Sequence, residues 1–370
     1  MKILMTAVSE TWGGQEDRLF SEAVWLRAKG HEVLVACMPE SQVKARCTAE
    51  GIPTVNVPMK RQSLLSGMVK IGRILSQFRP DVIHTRDSRD TWRCAPFQWM
   101  GWPTVRSRHW LLTPIPRGYR QLVWKCASTH LIAAANNIRH QMVEGMGVRP
   151  DRVDVIGEGV DLREFAPGPR GGLRGQWGIP DDAILFGYVA RLSGEKGPFP
   201  FVKAAGEVFS QCPNARFVMV GDDRPGDDTT EKLQALALKL FGGEGSPLHF
   251  AGWRSDIPAI MRELDVLVVP SKLDGQTRVI PQAFATGVPA IGSRVGGLPD
   301  LIRPEESGLL VAPMDVGELA GAMVRMVRDP ELRERLGRSA LDQARKTLSF
   351  DLRMEELLQA YSKAISRKRP

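Results

Sequence analysis

The sequence lacks long apolar runs, paired cysteines and tandem repeats, and each absence excludes a class of protein. No stretch approaches the roughly 18 uninterrupted apolar residues of a membrane-spanning helix, and the apolar part of the first ten residues is too short for a signal peptide. Five scattered cysteines form no Cys-x-x-Cys motif, and no histidine stands at metal-ligand spacing, which predicts buried reduced thiols. We therefore expect a cytoplasmic protein.

The sequence is long and has an excess of positive charge. The chain has 370 residues, of which 43% are apolar and 25% charged, so it is long enough for two domains and too apolar for intrinsic disorder. The net charge of +8 is concentrated in residues 1–164, which hold 23 Lys and Arg against 16 Asp and Glu. A basic half indicates a polyanionic partner, which is nucleic acid, a phosphorylated glycolipid or an anionic membrane surface.

Short apolar segments alternate with amphipathic helical patterns along the whole chain. Strands are predicted over residues 2–8, 32–37, 53–57 and 81–84, and again over 184–189, 217–220, 249–250, 266–269, 289–291 and 309–311. Strands about 15–25 residues apart with helices between them predict parallel sheets covered on both faces. The loop-forming stretch Gly157 to Gly172 separates the two series, so the sequence predicts two Rossmann-like α/β domains.

Three loops at predicted strand ends carry residues suited to binding an anion. Trp12-Gly13-Gly14 precedes a helix, but the full Gly-x-Gly-x-x-Gly is absent, which disfavours a nicotinamide dehydrogenase and leaves a plain tight turn as the alternative. Arg191 and Lys196 follow a strand, where two cations suit a diphosphate unless they are merely solvated. The third loop runs from Asp274 to Gln282, and its N–H groups from Gly275 to Val279 precede a helix.

In order and spacing, these motifs resemble family 4 of the retaining, nucleotide-sugar-dependent glycosyltransferases, which have the GT-B fold. The resemblance covers nearly the whole chain, through Trp12-Gly13-Gly14, Gly30 to Val33, Arg79 to Thr85, Gly159 to Leu162, Val220-Gly221-Asp222, Phe250 to Trp253, Asp274 to Pro289 and Gly296 to Asp300. It implies two Rossmann-like domains facing across a cleft, with a C-terminal helix that returns to the first domain. Residues 1–165 plus about 350–370 would bind the acceptor, and residues 166–349 the nucleotide sugar.

The resemblance also implies the donor site. Arg191 and Lys196 would neutralise the diphosphate of a UDP- or GDP-linked sugar, so that neither a metal nor another cofactor is needed, and the acidic pairs at 222–223 and 227–228 are not expected to hold one. Where the family usually has two Glu residues separated by seven, this chain has Asp274 for the donor sugar and Gln282 for the ribose. The implied donor-binding residues are Gly13, Gly14, Arg191, Lys196, Trp253, Asp274, Gly275, Gln276, Thr277, Arg278, Val279 and Gln282.

The acceptor side is expected in the first domain. His109 stands where the family has a histidine near the donor sugar, although a core histidine is the alternative, and Asp87 either orients or deprotonates the acceptor hydroxyl or caps a loop. The residues assigned to catalysis are His109, Asp87, Arg191, Lys196 and Asp274, and those assigned to the acceptor are His84, Arg86, Asp87, Arg106 and Arg108.

Mixed basic and aromatic residues predict a face for an anionic membrane or a phosphorylated lipid-linked glycan. They are Lys60, Arg61, Lys70, Arg73, Trp92, Arg93, Phe97, Trp99, Trp102, Arg106, Arg108, Trp110, Arg117, Tyr119, Arg120, Trp124 and Lys125. Some of them are expected to be core residues. No recognisable RNA-binding motif accompanies them, so nucleic acid is not an expected partner.

The sequence therefore predicts a retaining glycosyltransferase that moves a sugar from a nucleotide-sugar donor to a saccharide or lipid-linked saccharide. Bacterial lipopolysaccharide or another surface polysaccharide is the expected product, and the protein is expected in the cytoplasm, in peripheral contact with the anionic inner membrane. Two alternatives remain open. One is a catalytically silent partner that binds a nucleotide sugar, which the departures at Asp274 and Gln282 motivate. The other is a nucleotide-sugar 2-epimerase of the same fold.

Overall fold

The computed structural model describes residues 1–111, 115, 118–224, 226–243 and 245–367, with residues 61, 119 and 120 described by their backbone alone. The chain divides into two compact units. The first comprises Met1–Gly157 together with the chain from Arg353 onward, and the second comprises Glu158–Leu352. Each unit has its own parallel sheet.

The first unit is built on a seven-stranded parallel sheet. Its strands are β1 (Lys2–Thr6), β2 (Glu32–Cys37), β3 (Thr54–Asn56), β4 (Val82–Thr85), β5 (Thr104–Arg108), β6 (His130–Ala133) and β7 (Val153–Val155). Their spatial order is β3-β2-β1-β4-β5-β6-β7, so the direction in which strands are added reverses between β1 and β4. Residues Val82, Ile83 and His84 of β4 are fully buried, as expected for a central strand covered on both faces.

Helices connect these strands. They are α1 (Gly14–Ala28), α2 (Gln42–Ala49), α3 (Leu64–Phe78), α4 (Ser88–Trp99), α5 (Leu122–Lys125) and α6 (Asn136–His140). Helix α3 is strongly amphipathic, since Ile71, Ile74 and Leu75 are buried while Leu65 and Val69 are exposed. Its buried stripe joins the apolar core beneath β1 and β4.

The second unit has a six-stranded parallel sheet. Its strands are β8 (Ile184–Val189), β9 (Ala215–Val220), β10 (Leu248–Gly252), β11 (Val266–Val269), β12 (Ala290–Ser293) and β13 (Gly308–Val311), in the order β10-β9-β8-β11-β12-β13. Its helices are α7 (Leu173–Gln176), α8 (Pro198–Gln211), α9 (Thr229–Phe241), α10 (Ile257–Glu263), α11 (Val279–Ala285), α12 (Leu298–Leu301), α13 (Val316–Arg328) and α14 (Pro330–Thr347). The order of strand addition reverses here between β8 and β11.

The chain passes from one unit to the other at two places. The sequence placed the first boundary after residue 165, whereas residues 158–165 belong to the second unit, because Val160 pairs with Ser349 and Phe165 is buried in the second core. The last helix, α15 (Phe350–Ser366), enters the first unit from Arg353 onward, which confirms the predicted return of the C-terminal helix.

Two expectations from composition can be compared with the described residues. No helix among them is long and apolar enough to cross a membrane. Cys37, Cys47, Cys94 and Cys212 are buried free thiols, as predicted, but the prediction was wrong for Cys126, which is exposed just after the short helix α5.

Candidate active site

Several of the predicted site residues lie at the carboxyl ends of the strands where the strand order reverses, while Arg106, Arg108 and His109 lie on or just after β5 and Trp253 follows β10. In open α/β sheets a crevice forms at such a point, because the connections on either side leave in opposite directions. In the first unit the loops after β1 and β4 carry Gly13 and Arg86, and in the second unit those after β8 and β11 carry Arg191 and Asp274. The topology therefore explains why chemistry-bearing residues far apart in sequence gather within each unit.

Lys196 and Asp274 form an ion pair in the second unit. Lys196 Nζ lies 2.7 Å from Asp274 Oδ2, which also accepts a hydrogen bond of 3.0 Å from Ser271 Oγ. The Asp274 side chain is 2% exposed and that of Lys196 is 26% exposed. The carboxylate is thus held in place, while part of the lysine side chain is accessible to a ligand.

Two glycines fix the loops that carry this pair. Gly197 has φ +71°, and a Cβ on it would stand 1.9 Å from the Pro270 carbonyl oxygen. Gly296 has φ +58°, and its Cβ would stand 1.7 Å from the carbonyl oxygen of Asp274. Only glycine permits both the left-handed backbone and these close approaches, so the two loops are positioned by backbone contact.

A cavity of about 440 Å³ in the second unit is lined by Arg191, Trp253, Val279 and Gln282 among others, whereas Lys196 and Asp274 are not among its lining residues. Trp253 is 72% exposed at this cavity. Four of the predicted donor residues therefore share one cavity. Asp222 and Asp223 also line it, and Asp223 Oδ2 accepts a hydrogen bond of 3.0 Å from the N–H of Thr230, which ties this carboxylate to the start of α9.

The predicted donor residues from Gly275 to Arg278 form the loop before α11. The Gly275 carbonyl accepts a hydrogen bond of 2.8 Å from the N–H of Gly297, and Gln276 Oε1 accepts one from the N–H of Glu158. Thr277 is buried and Arg278 is the residue that precedes the first turn of α11. These contacts show the loop to be well anchored within the second unit.

In the first unit, His84 is fully buried with both ring nitrogens engaged. Nδ1 lies 2.7 Å from the Tyr361 hydroxyl of α15, and Nε2 lies 2.7 Å from Ser107 Oγ. Burial, together with the nearby Arg86 and Arg18, holds the pKa of His84 well below its ordinary value. The imidazole is therefore neutral and ties β4, β5 and α15 together.

Arg86 shares a buried carboxylate with Arg18. Arg86 Nη2 donates to Glu22 Oε2, and Arg18 Nε donates to Glu22 Oε1 at 2.8 Å. Arg86 is 2% exposed, yet its Nε and Nη1 atoms have no hydrogen-bond partner. Buried donors without a partner are unfavourable, so an oxygen acceptor at these two N–H groups would stabilise them.

Arg106 and Arg108 extend along β5 near the ring of Trp124. The Arg106 guanidinium lies 3.6 Å from the Trp124 ring centroid, and its Nη2 donates to Ser88 Oγ at 2.9 Å. Its Nε and Nη1 atoms are buried without a partner, and burial lowers the pKa of Arg106 to about 9. Arg108 is more accessible and donates to the Trp110 carbonyl at 2.8 Å.

His109 and Asp87 show different surroundings. His109 is 9% exposed and its Nε2 atom has no partner, while burial and the cations Arg18, Arg86 and Arg108 hold its pKa well below the ordinary value. Asp87 caps α4, accepting hydrogen bonds from the backbone and side chain of Arg89, and although burial alone would raise its pKa, these bonds lower it. The geometry thus favours the capping role of Asp87 over that of a base.

Gly13 and Gly14 begin α1 beside these residues. Gly13 is the capping position, with an extended backbone, and a Cβ on Gly14 would meet no atom within 4 Å. The fold does not require glycine at residue 14, so the open space in front of it is available to a ligand.

The family models and relatives agree with this geometry. A model described as "Glycosyl transferases group 1" matches residues 170–343, and one described as "Glycosyltransferase Family 4" matches residues 12–164. The D-inositol 3-phosphate glycosyltransferase of Acidothermus cellulolyticus is 30% identical over 345 residues, which cover 86% of this chain and 75% of that protein. The chain belongs to glycosyltransferase family 4. It is a glycosyltransferase, as its sequence predicted.

This family 4 chain is also similar to two further proteins. The UDP-Gal:alpha-D-GlcNAc-diphosphoundecaprenol alpha-1,3-galactosyltransferase of Escherichia coli is 33% identical over 213 residues, covering 56% of this chain and 53% of that protein. The crystal structure of HepE from Anabaena, in complex with UDP, superposes with a TM-score of 0.86 and 23% identity over 98% of this chain and all of that one. The second likeness shows the GT-B fold and confirms the predicted fold class.

Sequence reasoning missed several residues of this family 4 site. Arg18 and Glu22 stand one turn apart on α1, directly beside the buried Leu19 and Ala23, and charges in a buried stripe are the signal that was available. Ser271 and Tyr361 had no such signal, because their roles depend on contacts distant in sequence. Of the predicted basic and aromatic face, Arg117 and the side chains of Arg61, Tyr119 and Arg120 lie outside the described residues.

Proposed function

We propose that this glycosyltransferase moves a sugar, with retention at the anomeric carbon, from a nucleotide-sugar donor to a phosphate-bearing saccharide or lipid-linked saccharide. Two observations in the second unit carry the proposal: Arg191, Trp253 and Gln282 line one cavity, and Lys196 forms an ion pair with the buried Asp274. Cations on a parallel-sheet edge suit a diphosphate, and a hydrogen-bonding side chain suits a ribose.

In this proposal Arg191 and Lys196 stabilise the leaving group. Negative charge develops on the diphosphate as the glycosidic bond breaks, and preorganised cations lower the energy of that state more than that of the bound donor. These two side chains do the work that a divalent metal does in other transferases, so the proposed reaction requires no metal. Asp274 would accept hydrogen bonds from the donor sugar, and Gln282 would bind the ribose diol.

The first unit would bind the acceptor. Its buried, unpartnered nitrogen atoms on Arg86, Arg106 and His109 favour an acceptor that brings oxygen atoms and negative charge. The printed names of two relatives describe phosphate-bearing acceptors, D-inositol 3-phosphate in one and a diphosphoundecaprenol-linked sugar in the other. Neutral His109 has an unpartnered Nε2, which suits a hydroxyl better than a charged group.

Contact with an anionic inner membrane, at its cytoplasmic face, is part of the proposal. On α3, Leu65 is 77% exposed and Val69, one turn later, is 58% exposed, and Lys70 and Arg73 lie on the same outward side. Exposed apolar groups flanked by cations suit the headgroup boundary of an anionic bilayer. Such a position brings lipid-linked acceptors within reach and supports a place in bacterial lipopolysaccharide or other surface polysaccharide synthesis.

A screen of nucleotide sugars by thermal stabilisation tests the donor half. A donor present at 100 times its Kd raises the apparent stability by about 2.7 kcal/mol through mass action, so the preferred base and sugar stand out together. Donor consumption is then measured with phosphorylated acceptors and with the same acceptors lacking phosphate. Binding without transfer to any acceptor would favour the silent partner, and absence of binding would refute the proposal.

The acceptor half is tested with variants. Arg86→Gln should weaken the use of a phosphorylated acceptor, with a higher KM, and should leave donor binding unchanged. Arg338→Gln, which removes an exposed charge of α14, is the matched control and should alter neither. Inversion of the anomeric configuration in the product, observed by NMR, would contradict the retaining mechanism.

A further inference from the structure

A basic cavity lies in the first unit at the amino edge of its sheet, opposite the edge that carries the candidate site residues of that unit. It has a volume of about 460 Å³ and is found where α4 ends and where β6 and β7 begin. We call it the amino-end pocket and define it by Trp99, Lys125, Ser128, Arg149, Arg152 and Arg367. Trp99 and Lys125 belong to the basic and aromatic face predicted from the sequence, and the other residues of this pocket were assigned neither to the donor nor to the acceptor.

The amino-end pocket has an excess of positive charge. Lys125, Arg149, Arg152 and Arg367 stand against Asp151, the one carboxylate among its lining residues, all of which the structure describes. Asp151 is itself shared, since its Oδ2 atom accepts hydrogen bonds of 3.0 Å from both Arg149 and Arg367. One carboxylate cannot neutralise four cations, so the pocket favours an added anion.

Arg152 contributes charge that no carboxylate contacts directly. Its guanidinium donates to three backbone carbonyls, those of Lys125, Ser128 and Thr129. Carbonyl oxygens satisfy its hydrogen bonds but leave its charge in place. Burial, followed by the neighbouring Arg367, lowers the pKa of Arg152.

Ser128 provides a second and independent observation. Its side chain is 1% exposed, it lines the pocket, and its hydroxyl has no hydrogen-bond partner. A buried hydroxyl without a partner is unfavourable, and a ligand oxygen would remove that cost. Trp99 completes one wall, because its indole N–H donates to the Cys126 carbonyl at 2.9 Å while the ring remains 64% exposed.

We propose that the amino-end pocket binds a phosphate group at a site separate from sugar transfer. Phosphate oxygens accept hydrogen bonds from guanidinium, ammonium and hydroxyl donors, which are the groups that meet here. The phosphate belongs either to a small soluble phosphorylated molecule or to a lipid headgroup. Because the pocket lies at the amino ends of β6 and β7, its occupant leaves the loops of the candidate active site free.

Isothermal titration of inorganic phosphate into the full chain tests the proposal. Lys125→Gln should weaken binding at least tenfold, and Ser128→Ala should weaken it severalfold without lowering thermal stability, since it removes a hydroxyl that has no partner. Lys203→Gln, which removes an exposed charge from α8, is the charge-matched control and should bind as wild type does. Lys196→Ala should also retain this binding, which separates it from phosphate at the donor loops.

Sedimentation with vesicles identifies the source of the phosphate. If the occupant is a lipid headgroup, phosphatidylglycerol vesicles should bind the wild type, phosphatidylcholine vesicles should not, and Lys125→Gln and Ser128→Ala should reduce the binding. If the source is a soluble molecule, free phosphate binding responds to these variants and vesicle binding does not. The proposal is overturned if neither probe responds to the two variants, or if Lys203→Gln has the same effect as they do.

Discussion

Replacing Lys196 with alanine should impair catalysis and stability by separate amounts. In the proposed mechanism the lost ammonium group no longer opposes charge on the diphosphate, which costs about 2.7–4 kcal/mol of transition-state stabilisation, or roughly 10²–10³-fold in kcat. The same change leaves the Asp274 carboxylate, 2% exposed, with Ser271 as its remaining hydrogen-bond donor.

The stability effect follows from that burial. Removing one partner of a buried pair typically costs 3–5 kcal/mol, and we expect about 2–3 kcal/mol here because the Lys196 side chain is 26% exposed. A neutral amide needs no counter-charge, so Lys196→Ala combined with Asp274→Asn should recover most of the stability. It should not recover the rate.

Two measurements separate these effects. A single unfolding midpoint is poorly defined for a chain with two units, so stability is read from hydrogen exchange of the amides in β8 and β11. Turnover is measured with the nucleotide sugar that most stabilises the wild type, and Lys203→Ala serves as the control. Near-wild-type turnover of Lys196→Ala, or a rate restored by Asp274→Asn, would refute the proposed contact with the diphosphate.

Three further predictions concern the metal, the ribose and pH. Transfer should continue in excess EDTA, and complete loss of activity that Mg²⁺ or Mn²⁺ restores would contradict the proposed role of the cations. Gln282→Glu should preserve or tighten donor binding and Gln282→Ala should weaken it by about 1–3 kcal/mol, whereas equal affinities by isothermal titration would show that Gln282 does not contact the donor. In the folded state the pKa values of His84 and His109 are held below the ordinary value of about 6.5, so both residues bind protons mainly on unfolding. The free energy of unfolding is therefore full above that pH. Below it, each histidine lowers the free energy of unfolding by about 1.4 kcal/mol per pH unit. Exchange in β4 and β5 at pH 7.5 and 5.5 should show this loss of stability, with a smaller slope in His109→Gln.

The sequence predicted the central strands well because burial on both faces gives continuous apolar runs. Glu32–Cys37, Ile184–Val189 and Val266–Val269 have the bounds expected from their composition. Helix α13 was equally clear, since Asp315 caps it and Pro330 begins the next helix. Strands β6 and β7 were not found, because their extended form depends on pairing with β5 and with each other.

The sequence predicted which loops carry the candidate site, but it did not predict which residues contact one another there. Strand ends with glycines and cations indicated where a diphosphate could bind, and the structure places those loops at the reversal points of the two sheets. The contacts of Arg86 and His84 depend on Glu22 and Tyr361, which are 64 and 277 residues away in the chain. Such partners depend on how the helices and strands pack against one another, so they cannot be predicted from the local sequence.

The last helix, α15, belongs mostly to the first unit, and this has a consequence for how the chain folds during its synthesis. The first unit contains residues up to Gly157 and then requires α15, which follows about 195 residues that belong to the second unit. At about 5–20 residues per second, a ribosome completes that intervening stretch roughly 10–40 s after the first sheet has emerged. During this interval His84 lacks its contact with Tyr361, so the nascent amino-terminal sheet must wait for the carboxyl-terminal helix before it is fully packed.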